Sequence, residues 1–100
     1  MEVTITKNEE KTLVNVAGRI DTTTAEKFNE AVAPLMAPGT GSIEIDCSAL
    51  DYTSSQGLRI FLMLQKAVSA NKGSLVLTNM QPSVKEVFDI TGFSSIIKII

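Results

Sequence analysis

One hundred residues suffice for one hydrophobic core and are too few for two well-buried ones, so a single domain spanning residues 1–100 is expected. With 44% hydrophobic and 20% charged residues, three prolines and six glycines, the composition excludes a disordered or low-complexity chain. A formal net charge of −2, with nine basic residues scattered among eleven acidic ones, removes the usual electrostatic basis for nucleic-acid binding.

The amino terminus, Met1-Glu2-Val3-Thr4-Ile5-Thr6-Lys7, carries neither the basic nor the apolar region of a signal peptide. No apolar run approaches the roughly eighteen residues that span a bilayer. One cysteine, Cys47, cannot form an internal disulfide, and at the end of an apolar strand it reads as a buried small hydrophobe. A cytoplasmic protein without a membrane span is expected.

In chain order, Val3–Lys7 and Leu13–Ala17 both alternate apolar and polar residues across the polar turn Asn8-Glu9-Glu10-Lys11, which predicts an antiparallel hairpin. Asp21-Thr22-Thr23-Thr24 offers several caps for a first helix, whose stripe is Ala25, Phe28, Val32 and Leu35. Pro38-Gly39-Thr40-Gly41 ends it. A strand over Ile43–Cys47, a polar loop from Ser48 to Ser55 and an apolar helix from Leu58 to Val68 follow. Asn71-Lys72-Gly73 stops that helix, with the glycine suited to a left-handed backbone. Ser74–Thr78 is the next strand. Pro82 opens a third helix bearing Val84, Val87, Phe88 and Ile90; Thr91-Gly92-Phe93 closes it, and Ile96–Ile100 forms a last strand. The order β-β-α-β-α-β-α-β predicts an α/β fold: a mixed, mostly parallel sheet with right-handed crossovers and helices packed against it.

On a helical wheel, Ile60, Phe61, Leu64, Ala67 and Val68 form the core face of the central helix. Leu58 and Leu62 fall outside it and Met63 lies on the opposite flank. The excess leucines fit either a wide helix covered by neighbouring loops or a docking surface for another protein.

The junction Asp51-Tyr52-Thr53-Ser54-Ser55-Gln56-Gly57-Leu58-Arg59 places three hydroxyls at a helix start, where unpaired N–H groups and the helix dipole favour oxygen acceptors and anions. Thr53 and Gln56 have the spacing of a capping box. The same hydroxyls suit phosphorylation, which would add about −1.5 to −2 charges next to an apolar interface built on Leu58. Catalytic chemistries fare worse. Histidine is absent, which excludes a Ser-His-Asp triad and histidine metal ligands, and one cysteine makes no thiolate cluster. Asp21, Asp46 and Asp51 could meet near one end of the sheet, but without a second catalytic group they give little support for acid–base chemistry, and Gly39-Thr40-Gly41 lacks the lysine and spacing of a phosphate-binding loop. No enzymatic activity, cofactor or metal is expected.

The segment Ile43–Arg59, with its strand, aspartate, loop and Ser54-Ser55-Gln56-Gly57-Leu58 element, resembles the signature of the STAS domain of bacterial anti-sigma-factor antagonists. Gly18-Arg19-Ile20-Asp21 is similar to the family's Gly-x-x-Asp before the first helix, and Thr91-Gly92-Phe93 to its penultimate turn. The resemblance covers essentially the whole chain. It implies a switch protein that binds an anti-sigma factor and so frees a sigma factor. That anti-sigma factor is often a serine kinase that phosphorylates and releases the antagonist, and a metal-dependent serine phosphatase restores the binding form. It further implies Ser55 as phosphoacceptor, with Asp21, Ser54, Gln56, Gly57, Leu58, Arg59 and Leu62 at the partner surface. Where some members carry an acidic residue this chain has Ser54, and where some carry serine or threonine it has Gln56, so Thr53 and Ser54 are rival acceptors. The same fold also permits an interaction module of another pathway, such as a stress-signalling scaffold or a lipid-transport accessory subunit, or a small-ligand or nucleotide-binding domain.

Overall fold

A computed structural model describes all residues from Met1 to Ile100. The two alternating runs at the amino terminus pair as an antiparallel hairpin of β1 (Glu2–Lys7) and β2 (Lys11–Ile20). Asn8 makes the turn: its Oδ1 accepts the N–H groups of Glu10 and Lys11 at 2.9 and 2.8 Å. Helix α1 (Ala25–Val32) then leads through β3 (Ser42–Thr53), α2 (Ser55–Ala70), β4 (Ser74–Thr78) and α3 (Pro82–Ile90) to β5 (Lys98–Ile99).

The sheet order is β1-β2-β3-β4-β5, with every pair after the hairpin parallel. Each crossover therefore steps one strand in the same direction, and a shared handedness puts all three helices on one face. A row of apolar partners, Ile5, Val14, Ile45, Leu77 and Ile99, crosses all five strands on that face. The adjacent row, Thr6, Leu13, Glu44, Val76 and Lys98, points the other way and is half-buried or exposed. That face carries the Lys11–Glu44 ion pair at 3.1 Å.

The core is one cluster of 21 buried residues. Its centre is a chain of three rings, one from each helix. Phe28 and Phe61 lie 5.1 Å apart and Phe61 and Phe88 5.5 Å apart between centroids, tilted and edge-on, the arrangements that aromatic quadrupoles favour.

Several boundaries differ from the sequence reading, each for a local reason. Pro34 has no N–H for a helical bond, so α1 passes into a 310 turn, Ala33–Met36, which carries the buried Leu35. β3 runs through the stretch read as a polar loop, because two register shifts against β2 insert extra residues. Its buried positions there, Cys47, Leu50 and Thr53, recur every third residue and break the period-two signal. At the end of α2 it is Lys72, at φ 61°, that takes the left-handed conformation rather than Gly73. Lys72 N–H bonds to Ser69 O and Gly73 N–H to Val68 O, the two bonds of a Schellman cap. Gly73 is needed for space instead, since a Cβ there would strike the carbonyl of Gly41. The last strand shrinks to Lys98–Ile99 behind a second 310 turn, Phe93–Ser95; Ile97 is buried, whereas Ile90, Ile96 and Ile100 are exposed.

Cys47 is fully buried, and burial first, then the neighbouring Asp46 charge, pushes its thiol up to about 12. It is a core residue.

The aromatic chain makes Phe61 the contact common to all three helices. Phe61→Ala is expected to lower the unfolding free energy by about 3–5 kcal/mol, whereas Ile90→Ala at the exposed end of α3 stays within about 0.5 kcal/mol of the parent. Urea denaturation of both variants checks this.

Candidate functional site

The serine junction is held by the end of β2. After Ile20 the chain turns into α1, and the Ile20 carbonyl accepts the N–H of Ser54 at 2.7 Å, tying that turn to the first residue of the α2 cap. Gly57 brings the two segments close. It is buried, and a Cβ on it would run into the Thr53 hydroxyl and come within 2.8 Å of Ile20 Cγ2. The first turn of α2 thus lies directly on Ile20, which only glycine permits.

This contact sorts the three hydroxyls. Thr53 is 3% exposed and donates to the Ser54 carbonyl at 3.2 Å. Ser54 is the N-cap: it has extended backbone, and its Oγ accepts the N–H of Gly57 at 3.3 Å. The capping box expected between Thr53 and Gln56 is not formed, because the helix starts one residue later and Thr53 faces the core. Ser55 is the first helical residue, exposed, with its hydroxyl outside these contacts.

Asp21 lies beside the junction, but its carboxylate is already engaged. Its Oδ1 accepts the Thr23 N–H at 2.9 Å, the Thr23 hydroxyl at 2.6 Å and the Thr24 N–H at 3.2 Å. These bonds, the Thr23 hydroxyl foremost, hold the carboxyl below its ordinary value. Asp21 therefore shapes the turn that starts α1, while its Oδ2 lies 4.0 Å from Arg19 Nε. Arg19 in turn covers the Tyr52 ring at 4.4 Å, a cation–π pair between register partners of β2 and β3 that the sequence reading missed. Its signal is legible only once the strands are aligned.

The three carboxylates that the sequence could bring together are engaged separately. Asp46 accepts the Ser48 N–H at 2.9 Å, Asp51 faces the Gln81 amide at 3.3 Å, and no acidic cluster suited to a metal ion is formed.

The partner-surface residues divide in the same way. Leu58 is 4% exposed and belongs to the core, and Gly57 is buried with it, so neither forms an exposed docking surface. Leu62 is half-buried. The wide-helix reading therefore holds for Leu58, which packs into the core cluster. In the N-terminal half of α2, residues 55–63, the exposed positions are Ser55, Gln56, Arg59 and Met63. The last three, with Thr22, Glu26 and Asn29 on the α1 side, line an open groove of about 400 Å3 between the two helices. Met63, placed by the wheel on a far flank, is the exposed apolar side chain of this groove.

Removing the cap with Ser54→Ala is expected to cost about 1 kcal/mol, and Gly57→Ala about 1–3 kcal/mol by overpacking against Ile20 and Thr53. Ser55→Ala should leave the unfolding free energy unchanged; thermal and urea unfolding of the three variants test the order. Asp21 adds a pH signature. Its folded pKa lies below the ordinary 3.8, so its contribution is complete above that value and fades as the pH falls through the depressed one. Asp21→Asn should accordingly flatten the acid limb of the stability–pH curve relative to the parent.

Comparison with known proteins places the fold. The anti-sigma-B factor antagonist of Bacillus subtilis is 35% identical over 99 residues, covering 99% of this chain and 90% of its own. The putative anti-sigma factor antagonist BtrV of Bordetella bronchiseptica is 34% identical over 96 residues, covering 96% and 83%. Among solved structures, the unphosphorylated anti-sigma factor antagonist SpoIIAA superposes with a TM-score of 0.82 at 19% identity, over 99% of this chain and 88% of that one. An anti-sigma factor antagonist from Mycobacterium paratuberculosis gives 0.87 at 21% identity, over 98% and 83%. These likenesses carry the fold: a five-stranded mixed sheet under three helices. The STAS domain model matches residues 2–100, and the chain belongs to the STAS domain family.

Proposed function

We propose that this protein is an anti-sigma-factor antagonist, a cytoplasmic binding regulator without catalytic activity whose single domain spans residues 1–100. It docks on an anti-sigma factor through the α1–α2 edge and is released when Ser55 is phosphorylated. The kinase is the anti-sigma factor itself, and a metal-dependent serine phosphatase restores the binding form. The observation that carries this reading is the division of labour among the three hydroxyls. Thr53 is buried and Ser54 caps the helix, which leaves Ser55 as the exposed hydroxyl at the start of α2. The names of the relatives supply the partner class.

The burial of Leu58 changes how the switch acts. An apolar interface centred on that leucine is not available. The charge instead arrives next to Gln56, Arg59 and the groove, on a surface that must lose water when a partner covers it. An uncompensated anion there opposes docking through its desolvation cost. Asp21 contributes by shaping the α1 turn at the rim of that surface, and Ser54 by fixing the direction of the helix.

Ser55→Ala is expected to retain partner binding and to escape phosphorylation, and Ser55→Asp to weaken binding by about tenfold or more, roughly the 1.4 kcal/mol of one desolvated charge contact. Calorimetric titration of each variant against an anti-sigma factor from the same organism measures both. Equal affinity of Ser55→Asp and the parent would overturn the charge switch, and a phosphate found on Thr53 or Ser54 in native cells would move its site.

A further inference from the structure

The phosphate has a candidate counter-charge in its own helix. Ser55 and Arg59 are four residues apart on α2, so they stand about 6 Å apart along the axis and about 40° apart around it. Both are exposed. Arg59 belongs to none of the chain's ion pairs, which join Lys11 to Glu44, Arg19 to Asp21 and Lys85 to Asp89. Glu26, across the groove on α1, is the carboxylate that shares its lining with Arg59, yet the two are not within ion-pair distance. Arg19, the other arginine of the region, is occupied by Asp21 and the Tyr52 ring. The junction therefore holds one uncommitted guanidinium, within side-chain reach of the serine proposed to be modified.

We propose that Arg59 is the intramolecular partner of a phosphate on Ser55, so that modification both places an anion on the docking edge and withdraws a cation from it. This rests on Ser55 as the phosphoacceptor. A guanidinium can take two phosphate oxygens at once, and holding Arg59 back along α2 removes it from the groove it lines beside Gln56 and Met63. The partner surface facing that groove is then acidic: it is attracted by free Arg59, deprived of it by the phosphate, and repelled by the remaining negative charge. A carboxylate at position 55 is shorter and carries less charge, so it reproduces the capture of Arg59 incompletely.

The test installs phosphoserine at position 55 during translation, so it does not depend on which residue a cellular kinase selects; mass analysis of the native protein tests that separately. Phosphorus NMR then follows the second ionisation of the phosphate, ordinarily near pH 6. In the parent this pKa should lie about half a unit below its value in Arg59→Gln, because the guanidinium favours the dianion. Arg59→Lys should retain part of the shift, and Arg19→Gln should leave the parent value unchanged. Circular dichroism confirms that each variant is folded, which the exposure of Arg59 leads one to expect. An identical pKa in the parent and Arg59→Gln, or an equal change on removing Arg19, would overturn the pairing.

Discussion

The contact between the end of β2 and the start of α2 governs the rest of this structure. Ile20 carries two duties within one residue: its carbonyl receives the Ser54 N–H at 2.7 Å, and its side chain lies under Gly57. Because Gly57 has no Cβ, the helix descends far enough for Leu58 to enter the core and for Thr53 to be sealed beneath the first turn. Everything displayed at the surface follows from that descent. The hydroxyl that remains outside, the groove beside it and the arginine one turn along are the parts of the helix that the end of β2 does not cover.

The helical layer holds the same geometry from the other side. Phe28, Phe61 and Phe88 join all three helices through one continuous aromatic chain, so α2 is positioned by both neighbours as well as by the sheet. Rings that meet edge-on leave few alternative packings. A firmly seated α2 suits the proposed charge switch, since a phosphate on Ser55 would then alter what a partner meets without requiring the domain to refold. Asp21, Asp46 and Asp51 are engaged one at a time by nearby hydroxyls, N–H groups and an amide, Asp89 pairs with Lys85, and the cysteine is a core residue.

In the proposed charge switch, Arg59 supplies a second half. An antagonist that only gained an anion would depend on repulsion, which salt screens at an exposed edge. Capturing an arginine that otherwise faces the partner adds the loss of an attraction. The two effects share a sign and arise from one modification.

The order of elements, the N-terminal hairpin, the parallel sheet and most of the core were legible in the sequence, because alternation and helical stripes are local signals of burial on one face. So was the serine junction, from three hydroxyls at a helix start. The sequence alone did not separate those hydroxyls, since Thr53, Ser54 and Ser55 are chemically similar and adjacent; only the seat of α2 on Ile20 buries one, employs one as a cap and leaves one free. Nor did it show that β3 continues to Thr53, because two bulges hide the period of two. The wheel placed Leu58 outside the core and Met63 on a far flank because it counts only the face a helix turns to one neighbour. Here α2 meets the sheet, α1, α3 and the end of β2 together, so the tertiary contacts decided which of its residues remain for a partner.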